Sequence, residues 1–159
     1  MSTHVPPPAA TTFPRGARVA VVAARFNAHV VDNLLSGCLH RLGEMGLAPD
    51  RIDVYQVPGA FELPVTAKVL AHSEKFAAVI CLGCVIRGDT PHFDYVAGEC
   101  ARGIQAVSLS ESLPVIFGVL TTETEEQALA RAGGAHGHAG ERAAEAAAEM
   151  VAVLERARG

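Results

Sequence analysis

Short apolar runs alternate with segments of helical spacing along most of this 159-residue chain. Four of these runs have the length of strands, and they cover residues 19–23, 52–57, 77–85 and 114–120. Because strands that alternate with helices are joined by right-handed crossovers, this order predicts a mostly parallel sheet with helices on both faces. We therefore expect a doubly wound α/β domain built on four strands.

Capping residues mark the starts of three of the predicted helices. Asn27 is placed to cap the first helix, and Thr90 is placed to cap a helix whose first position is Pro91. Thr124 and Gln127 have the spacing of a capping box before a short helix. The predicted helices are one from Asn27 to Gly43–Gly46, one over 60–72, one over 91–109, one ending at Gly133-Gly134 and one over 141–157.

Charge and hydropathy exclude several classes of protein. The net charge is −4 and no run of Lys or Arg occurs, so nucleic-acid binding is not predicted. The longest apolar run, residues 76–86, is too short to cross a bilayer as a helix. Residues 1–14 lack the basic start and apolar centre of a signal peptide. We therefore expect a cytoplasmic protein with no membrane partner.

The first residues differ in composition from the rest of the chain. Residues 1–15 are rich in Pro, Ala and Thr, which predicts a flexible N-terminal arm. Residues 16–159 have the length of one domain, and the chain is 50% apolar, which is enough to bury a core. We expect a single domain over 16–159.

Cysteine and histidine pairs invite a redox or metal interpretation, which their context disfavours. Cys81 and Cys84 form a C-x-x-C pair, but they lie inside an apolar run that reads as a buried strand. A four-ligand zinc site would need a second such pair, and none occurs. His136 and His138 stand in a Gly-rich segment without a third ligand in the sequence. We expect buried thiols and no metal.

The segment 86–92 carries the strongest chemical signal. Parallel sheets bind ligands beyond the carboxyl ends of their strands, and this segment follows the third strand and opens a helix. Gly88 lets the backbone approach a ligand, and the free N–H groups at the helix start suit an anion. His92 follows in the first turn, where a neutral imidazole can accept and return a proton. The alternative is a well-capped helix with a surface histidine, and the residues alone leave both open.

Two further strand ends carry candidate ligand-binding side chains. Glu62 follows the second strand, where its carboxylate can accept hydrogen bonds from ligand hydroxyls or only stabilise the helix start. Phe26 follows the first strand, where its ring can stack on a heteroaromatic ring or only staple the helix. The chain has no G-x-G-x-x-G after its first strand, no phosphate-binding P-loop and no G-x-S-x-G. Dinucleotide, nucleoside triphosphate and α/β-hydrolase chemistry are therefore not predicted.

Four ordered segments carry a family resemblance. They read Arg25-Phe26-Asn27, then Val57-Pro58-Gly59-Ala60-Phe61-Glu62-Leu63-Pro64, then the run 82–96 containing Ile86-Arg87-Gly88-Asp89-Thr90-Pro91-His92, then Phe117-Gly118-Val119-Leu120-Thr121-Thr122. Glu126-Gln127-Ala128 and Arg131-Ala132-Gly133 continue the match. These segments closely resemble lumazine synthase, the penultimate enzyme of riboflavin synthesis, and the resemblance covers residues 17–154.

The resemblance implies a fold, a reaction and an assembly. The fold is a flavodoxin-like three-layer α/β/α domain with a four-stranded parallel sheet. The reaction is a cofactor-independent condensation, of the transferase class, of 5-amino-6-(D-ribitylamino)uracil with 3,4-dihydroxy-2-butanone 4-phosphate to 6,7-dimethyl-8-ribityllumazine. The assembly is a homopentamer or a 60-subunit shell of pentamers, and riboflavin synthase is a candidate partner.

The resemblance also implies roles for individual residues. His92 is the proton shuttle, Phe26 stacks on the pyrimidine, and Glu62 binds the ribityl hydroxyls. Asp89, through its backbone N–H, and Thr90 bind phosphate. Two implied residues come from a neighbouring subunit, where Phe117 closes the pyrimidine site and Arg131 binds phosphate. The other implied residues line the pyrimidine and ribityl side, and they are Asn27, Ala60, Phe61, Cys84, Val85 and Ile86.

The chain departs from the family pattern after Gly133. The family often has a Lys at the position of Ala135 and reads Asn-Lys-Gly where this chain reads His138-Ala139-Gly140. A cation near the ligands is therefore lost unless His136 or His138 replaces it.

Two other interpretations stay open: a flavodoxin-like module that binds riboflavin or a related heterocycle without turnover, and a shell protein that has lost its activity. A redox role for Cys81 and Cys84 is the third and most remote.

Overall fold

A four-stranded parallel sheet lies at the centre of the protein, whose computed structural model describes residues 7, 9 and 11–159. The strands are β1 (Val19–Ala24), β2 (Ile52–Val57), β3 (Ala78–Ile86) and β4 (Val115–Thr122). Their order is β2-β1-β3-β4, and every neighbouring pair is parallel. The prediction of a four-stranded parallel sheet is confirmed, with each strand end within two residues of the expected position.

Helices cover both faces of this sheet. The helices are α1 (Ala28–Glu44), α2 (Leu63–His72), α3 (His92–Glu111), α4 (Glu125–Arg131) and α5 (Ala139–Arg158). Short 3₁₀ turns precede β2 at Pro49–Arg51 and precede α2 at Ala60–Glu62. The helix predicted over 60–72 is therefore a 3₁₀ turn followed by an α-helix.

Alternate residues of the inner strands contribute their side chains to two separate hydrophobic cores. Val21 and Ile80 point to the face covered by α1 and α5, while Val22 and Val79 point to the face covered by α2 and α3. All four side chains are fully buried. Because successive strand residues point to opposite faces, one apolar strand supplies both cores. The flavodoxin-like three-layer α/β/α fold is confirmed.

The thiols of the C-x-x-C pair lie on opposite faces of the sheet. Cys81 belongs to the core under α2 and α3, and Cys84 belongs to the core under α1 and α5. Positions three residues apart in a strand cannot share a face, so the two thiols cannot bind one metal ion or form a disulfide. Burial raises the pKa of Cys84 to about 11 and also raises that of Cys81. All four cysteines are free and buried, which confirms the prediction of buried thiols for Cys81 and Cys84.

Two predicted helix caps are wrong in detail. Asn27 occupies the position before α1 in a left-handed conformation (φ 58°), but its side chain does not cap the helix. Its Nδ2 instead donates to the carbonyl oxygen of Cys84 at 2.9 Å. Pro91 precedes α3 rather than occupying its first position, and the hydroxyl of Thr90 accepts from the backbone N–H of His92 at 3.4 Å. The capping box of Thr124 and Gln127 is confirmed.

A hairpin that the sequence did not predict separates α4 from α5. Strand β5 (Ala132–Gly134) pairs with β6 (Gly137–His138) in an antiparallel arrangement, so the short helix ends at Arg131 rather than at the glycines. The Nδ1 atom of His138 then accepts from the backbone N–H groups of Gly140 (3.2 Å) and Glu141 (3.4 Å). Helix α5 therefore begins at Ala139, two residues before the predicted start, because an imidazole caps it.

Only part of the predicted N-terminal arm can be described. Residues 1–6, 8 and 10 lie outside the described residues. Phe13 is partly buried against the core under α1 and α5, and its backbone N–H donates to the carbonyl oxygen of Met45 at 3.5 Å. Among the described residues, none of the helices has the length and apolarity that a membrane crossing requires.

Candidate functional site

A cavity of about 610 Å³ opens at the carboxyl ends of β1, β2 and β3. This is the edge of a parallel sheet at which ligands bind. Ten residues singled out from the sequence line the cavity: Phe26, Asn27, Ala60, Phe61, Glu62, Cys84, Val85, Ile86, Thr90 and His92. Residues from the end of β3 and from the loops after β1, β2 and β3 thus meet in one place, as expected for a ligand site.

Backbone hydrogen bonds tie the loop after β1 to the loop after β2. The backbone N–H of Arg25 donates to the carbonyl oxygen of Val57 at 2.8 Å, and that of Phe26 donates to Pro58 at 3.0 Å. Gly59 lies between the two functional side chains, because a Cβ there would be 3.3 Å from Oε2 of Glu62 and 4.0 Å from Cβ of Phe26. The two candidate ligand-binding side chains therefore lie on either side of Gly59, close to its backbone.

Two aromatic side chains are left uncovered at the mouth of the cavity. Phe26 is 72% exposed and Phe61 is 58% exposed. Because both rings lie at one cavity, they form an exposed apolar patch, and such patches mark binding sites. The Phe26 ring beside the Glu62 carboxylate suits a ligand that has a flat heterocycle and hydroxyl groups.

The loop between β3 and α3 forms the other side of the cavity. Residues 87–91 are exposed, and His92 is the first residue of α3. The first N–H groups of a helix have no partner within the helix, so they attract an anion. The exposed imidazole of His92 therefore stands beside a position suited to phosphate.

Three predicted site residues lie outside this cavity. Asp89 is exposed in the loop but does not line the cavity. Phe117 lies on the edge strand β4 and is 44% exposed. Arg131 is partly exposed at the end of α4, and its Nη1 donates to the carbonyl oxygen of Gln127 at 2.9 Å. A single chain therefore does not bring Phe117 and Arg131 to its own cavity.

Neither candidate replacement for the missing lysines lines the cavity of its own chain. The ring of His138 caps α5 and packs against Gly37 of α1, so it belongs to the scaffold. His136 donates its backbone N–H to the carbonyl oxygen of Ala130 at 2.8 Å. Within residues 7, 9 and 11–159, no group of three or more His, Cys, Asp or Glu side chains is placed to hold a metal.

Gly88, which the sequence placed next to a ligand, also lines the cavity. Four further lining residues were given no role from the sequence, and they are Gly59, Phe93, Tyr95 and Val96. Phe93 and Tyr95 lie in the first turn of α3 beside His92, Val96 follows them, and Tyr95 is 69% exposed. Two aromatic residues within three positions of a candidate catalytic histidine were a usable signal in the sequence.

Comparison with known proteins agrees with the geometry of the site. The family model described as 6,7-dimethyl-8-ribityllumazine synthase matches residues 16–155. A protein of that name from Xylella fastidiosa (strain M12) is 46% identical over 143 residues, which cover 90% of this chain and 93% of the relative. One from Stenotrophomonas maltophilia (strain R551-3) is 50% identical over 142 residues, which cover 89% and 92%. The chain therefore belongs to the 6,7-dimethyl-8-ribityllumazine synthase family.

Proposed function

We propose that this chain condenses 5-amino-6-(D-ribitylamino)uracil with 3,4-dihydroxy-2-butanone 4-phosphate to form 6,7-dimethyl-8-ribityllumazine, the penultimate step of riboflavin synthesis. One observation carries the proposal: a single cavity holds an uncovered aromatic ring, a carboxylate and a histidine beside a phosphate-compatible helix start. Family membership over residues 16–155 supports the same activity. We propose that residues 16–159 act as one domain in the cytoplasm.

The reaction joins two substrates and releases one phosphate and two waters. The 5-amino nitrogen attacks the ketone carbon, and loss of water leaves an imine. A proton then leaves the hydroxyl-bearing carbon and the phosphate leaves the next carbon with its bonding electron pair, which gives an enol that tautomerises to a new carbonyl. The second amine adds to this carbonyl, and a second water departs. Each addition moves a proton from nitrogen, and each water loss needs a proton on oxygen. Orienting two substrates and transferring protons is therefore the whole catalytic task.

The residues of the cavity divide this task. His92 faces the cavity and carries the exchangeable proton. Phe26 stacks on the pyrimidine, and the Glu62 carboxylate accepts hydrogen bonds from ribityl hydroxyls. The amide nitrogen of Asn27 is already bonded to Cys84, so Asn27 holds the end of β3 in place and leaves Oδ1 for the ligand. Ala60, Phe61, Val85 and Ile86 supply the remaining walls.

Replacing Phe26 by alanine is expected to weaken binding of the pyrimidine substrate. A base stacked on an aromatic side chain contributes about 1–3 kcal/mol, so the dissociation constant should rise about tenfold to a hundredfold. Phe26→Tyr keeps the ring and serves as the matched control, with affinity close to wild type. Fluorescence titration with the pyrimidine substrate measures both variants. Equal affinity in Phe26→Ala and wild type would remove the stacking role.

We propose that the phosphate site is completed by a neighbouring subunit of a homopentamer. Thr90 and the backbone N–H of Asp89 approach the phosphate from one chain, and Arg131 approaches it from the next. Exposure of Arg131 and Phe117 outside their own cavity supports this division. A 60-subunit shell of such pentamers, and association with riboflavin synthase, are larger assemblies compatible with it.

Mixing two inactive variants tests whether the site is shared. His92→Ala and Arg131→Ala are each expected to lose activity, since one lacks the proton shuttle and the other a phosphate ligand. Randomly mixed pentamers from equal amounts should recover about one quarter of the active sites, because a site then draws each wild-type residue from a different chain. Turnover of the co-refolded mixture, compared with the separately folded variants, measures this. No recovery would place both residues in one chain's site.

A further inference from the structure

One arginine beside the cavity contacts three parts of the fold at once. Arg87 is the first residue after β3, and its Nε lies 2.8 Å from Oε2 of Glu123, in the segment between β4 and α4. Its Nη2 lies 3.3 Å from Oδ1 of Asp94 in α3. The guanidinium carbon lies 4.3 Å from the ring centre of Phe93, and the backbone N–H donates to Thr122 at 2.9 Å. Arg87 thus joins the ends of β3 and β4 to the start of α3.

The segment that follows Arg87 has few other contacts to hold it. Residues 88–91 are exposed, and a Cβ at Gly88 would meet nothing within 4 Å. The described hydrogen bonds of this segment are the contact of Thr90 with His92 and the contact of the Pro91 carbonyl with Asp94. Both lie within the segment and the first turn of α3. Arg87 is therefore what connects the segment to the neighbouring loop.

We propose that Arg87 is a positioning residue, which fixes the loop 87–91 and His92 in the geometry that binds phosphate. The proposal rests on the function proposed above, because it concerns the same phosphate. Ile86 and Gly88 line the cavity but Arg87 does not. Its donors face two carboxylates and its flat face covers Phe93, which does line the cavity. Arg87 therefore acts through the loop and through Phe93 rather than on the ligand.

The planar guanidinium suits this role better than a lysine ammonium would. It can bond two carboxylates and stack on a ring at the same time. A guanidinium keeps its charge at every working pH, and the hydrogen bond with Asp94 raises the pKa of Arg87 further. Exposed ion pairs contribute little to the free energy of unfolding. Their loss here should leave the fold intact and appear in ligand binding, because the phosphate must then order the loop itself.

Arg87→Gln tests the proposal by separating phosphate affinity from the rest of the reaction. We expect the dissociation constant for inorganic phosphate, and KM for the butanone phosphate, to rise about tenfold, while affinity for the pyrimidine substrate stays unchanged. Arg18→Gln is the matched control, because Arg18 also pairs with a carboxylate, Asp53 at 2.7 Å, at the opposite ends of the strands. It removes the same charge and should leave phosphate affinity unchanged.

A double variant distinguishes positioning from direct binding. Asp94→Asn with Glu123→Gln removes both partners of Arg87 but keeps the arginine. Removing two negative charges should by itself favour an anion, and a released Arg87 would favour it further. Positioning predicts weaker phosphate binding despite these effects, whereas tighter binding would show that the two ion pairs do not hold the loop in its binding geometry and would overturn the proposal.

Phosphate binding measured in the absence of the pyrimidine substrate tests this proposal separately from the proposed reaction. A wild-type protein that binds phosphate but forms no product would refute the reaction and leave the Arg87 test valid. Unchanged phosphate affinity in Arg87→Gln would refute positioning, whatever the wild-type turnover. Absence of saturable phosphate binding in the wild type would overturn the proposal as well.

Discussion

Replacing His92 by alanine is expected to lower kcat by about 10²–10⁴-fold and to leave substrate binding nearly unchanged. His92 is the first residue of α3 and its exposed side chain lines the cavity. The condensation moves protons off an attacking amine and onto departing oxygens, and a positioned imidazole can do both. Steady-state rates at saturating concentrations of both substrates measure the effect.

The matched control for this prediction is His40→Ala. His40 is exposed on α1 and pairs with Glu44 at 3.3 Å, outside the cavity. The His40→Ala variant also removes an exposed imidazole, and it should leave kcat unchanged. If His92→Ala also kept the wild-type kcat, proton transfer by His92 would have no part in the rate, and catalysis would rest on substrate alignment alone.

Replacing Gly140 by alanine is expected to destabilise the fold by about 3 kcal/mol, the upper end for overpacked cores. A Cβ at Gly140 would collide with the carbonyl oxygen of Leu34 and lie 2.8 Å from its carbonyl carbon. It would also lie 3.0 Å from Cε1 of His138, which caps α5. Because the obstacle is the backbone of α1, a side-chain rotation cannot relieve it, and α1 and α5 must move apart.

Urea unfolding of Gly140→Ala and Gly43→Ala separates packing from helix propensity. Gly43 lies in α1, and a Cβ there would meet nothing within 4 Å. Alanine at that position should stabilise the protein by about 0.5–1 kcal/mol, since it favours the helix. The urea midpoint should therefore fall for Gly140→Ala and rise for Gly43→Ala at similar slopes. A shift of the same sign in both variants would contradict close packing of α1 on α5.

The strands and the main cavity segments could be predicted because their signals are local. A strand buried on both faces must be apolar along its length, so β1 and β3 are recognisable in the sequence as uninterrupted apolar runs. The topology then brings the carboxyl ends of the strands to one edge, which places Phe26, Glu62 and His92 together. The capping box of α4 is local in the same sense, because both partners lie within three residues.

The features that sequence reasoning missed depend on partners distant in the chain or on uncommon roles. Asn27 has the composition of a cap, but its amide bonds to Cys84, 57 positions later. Arg87 meets Glu123 only because β3 and β4 are neighbours, and those residues are 36 positions apart. His138 was considered as a replacement cation, and the sequence disfavoured it as a metal ligand, but its role as a helix cap was not predicted. In each case the sequence shows which chemistry the side chain can perform, but it does not show which group the side chain contacts in the fold.

Turnover of the purified protein with both substrates tests the central claim most directly. The appearance of 6,7-dimethyl-8-ribityllumazine and of free phosphate is followed against an enzyme-free control, because the substrates can react slowly alone. We predict product well above that control, with one phosphate released per lumazine, despite Ala135 and Ala139 at positions where the family often has lysine. Product at the control rate from a folded, assembled protein would contradict the account. The chain would then be a heterocycle-binding module or a shell protein that has lost its catalysis.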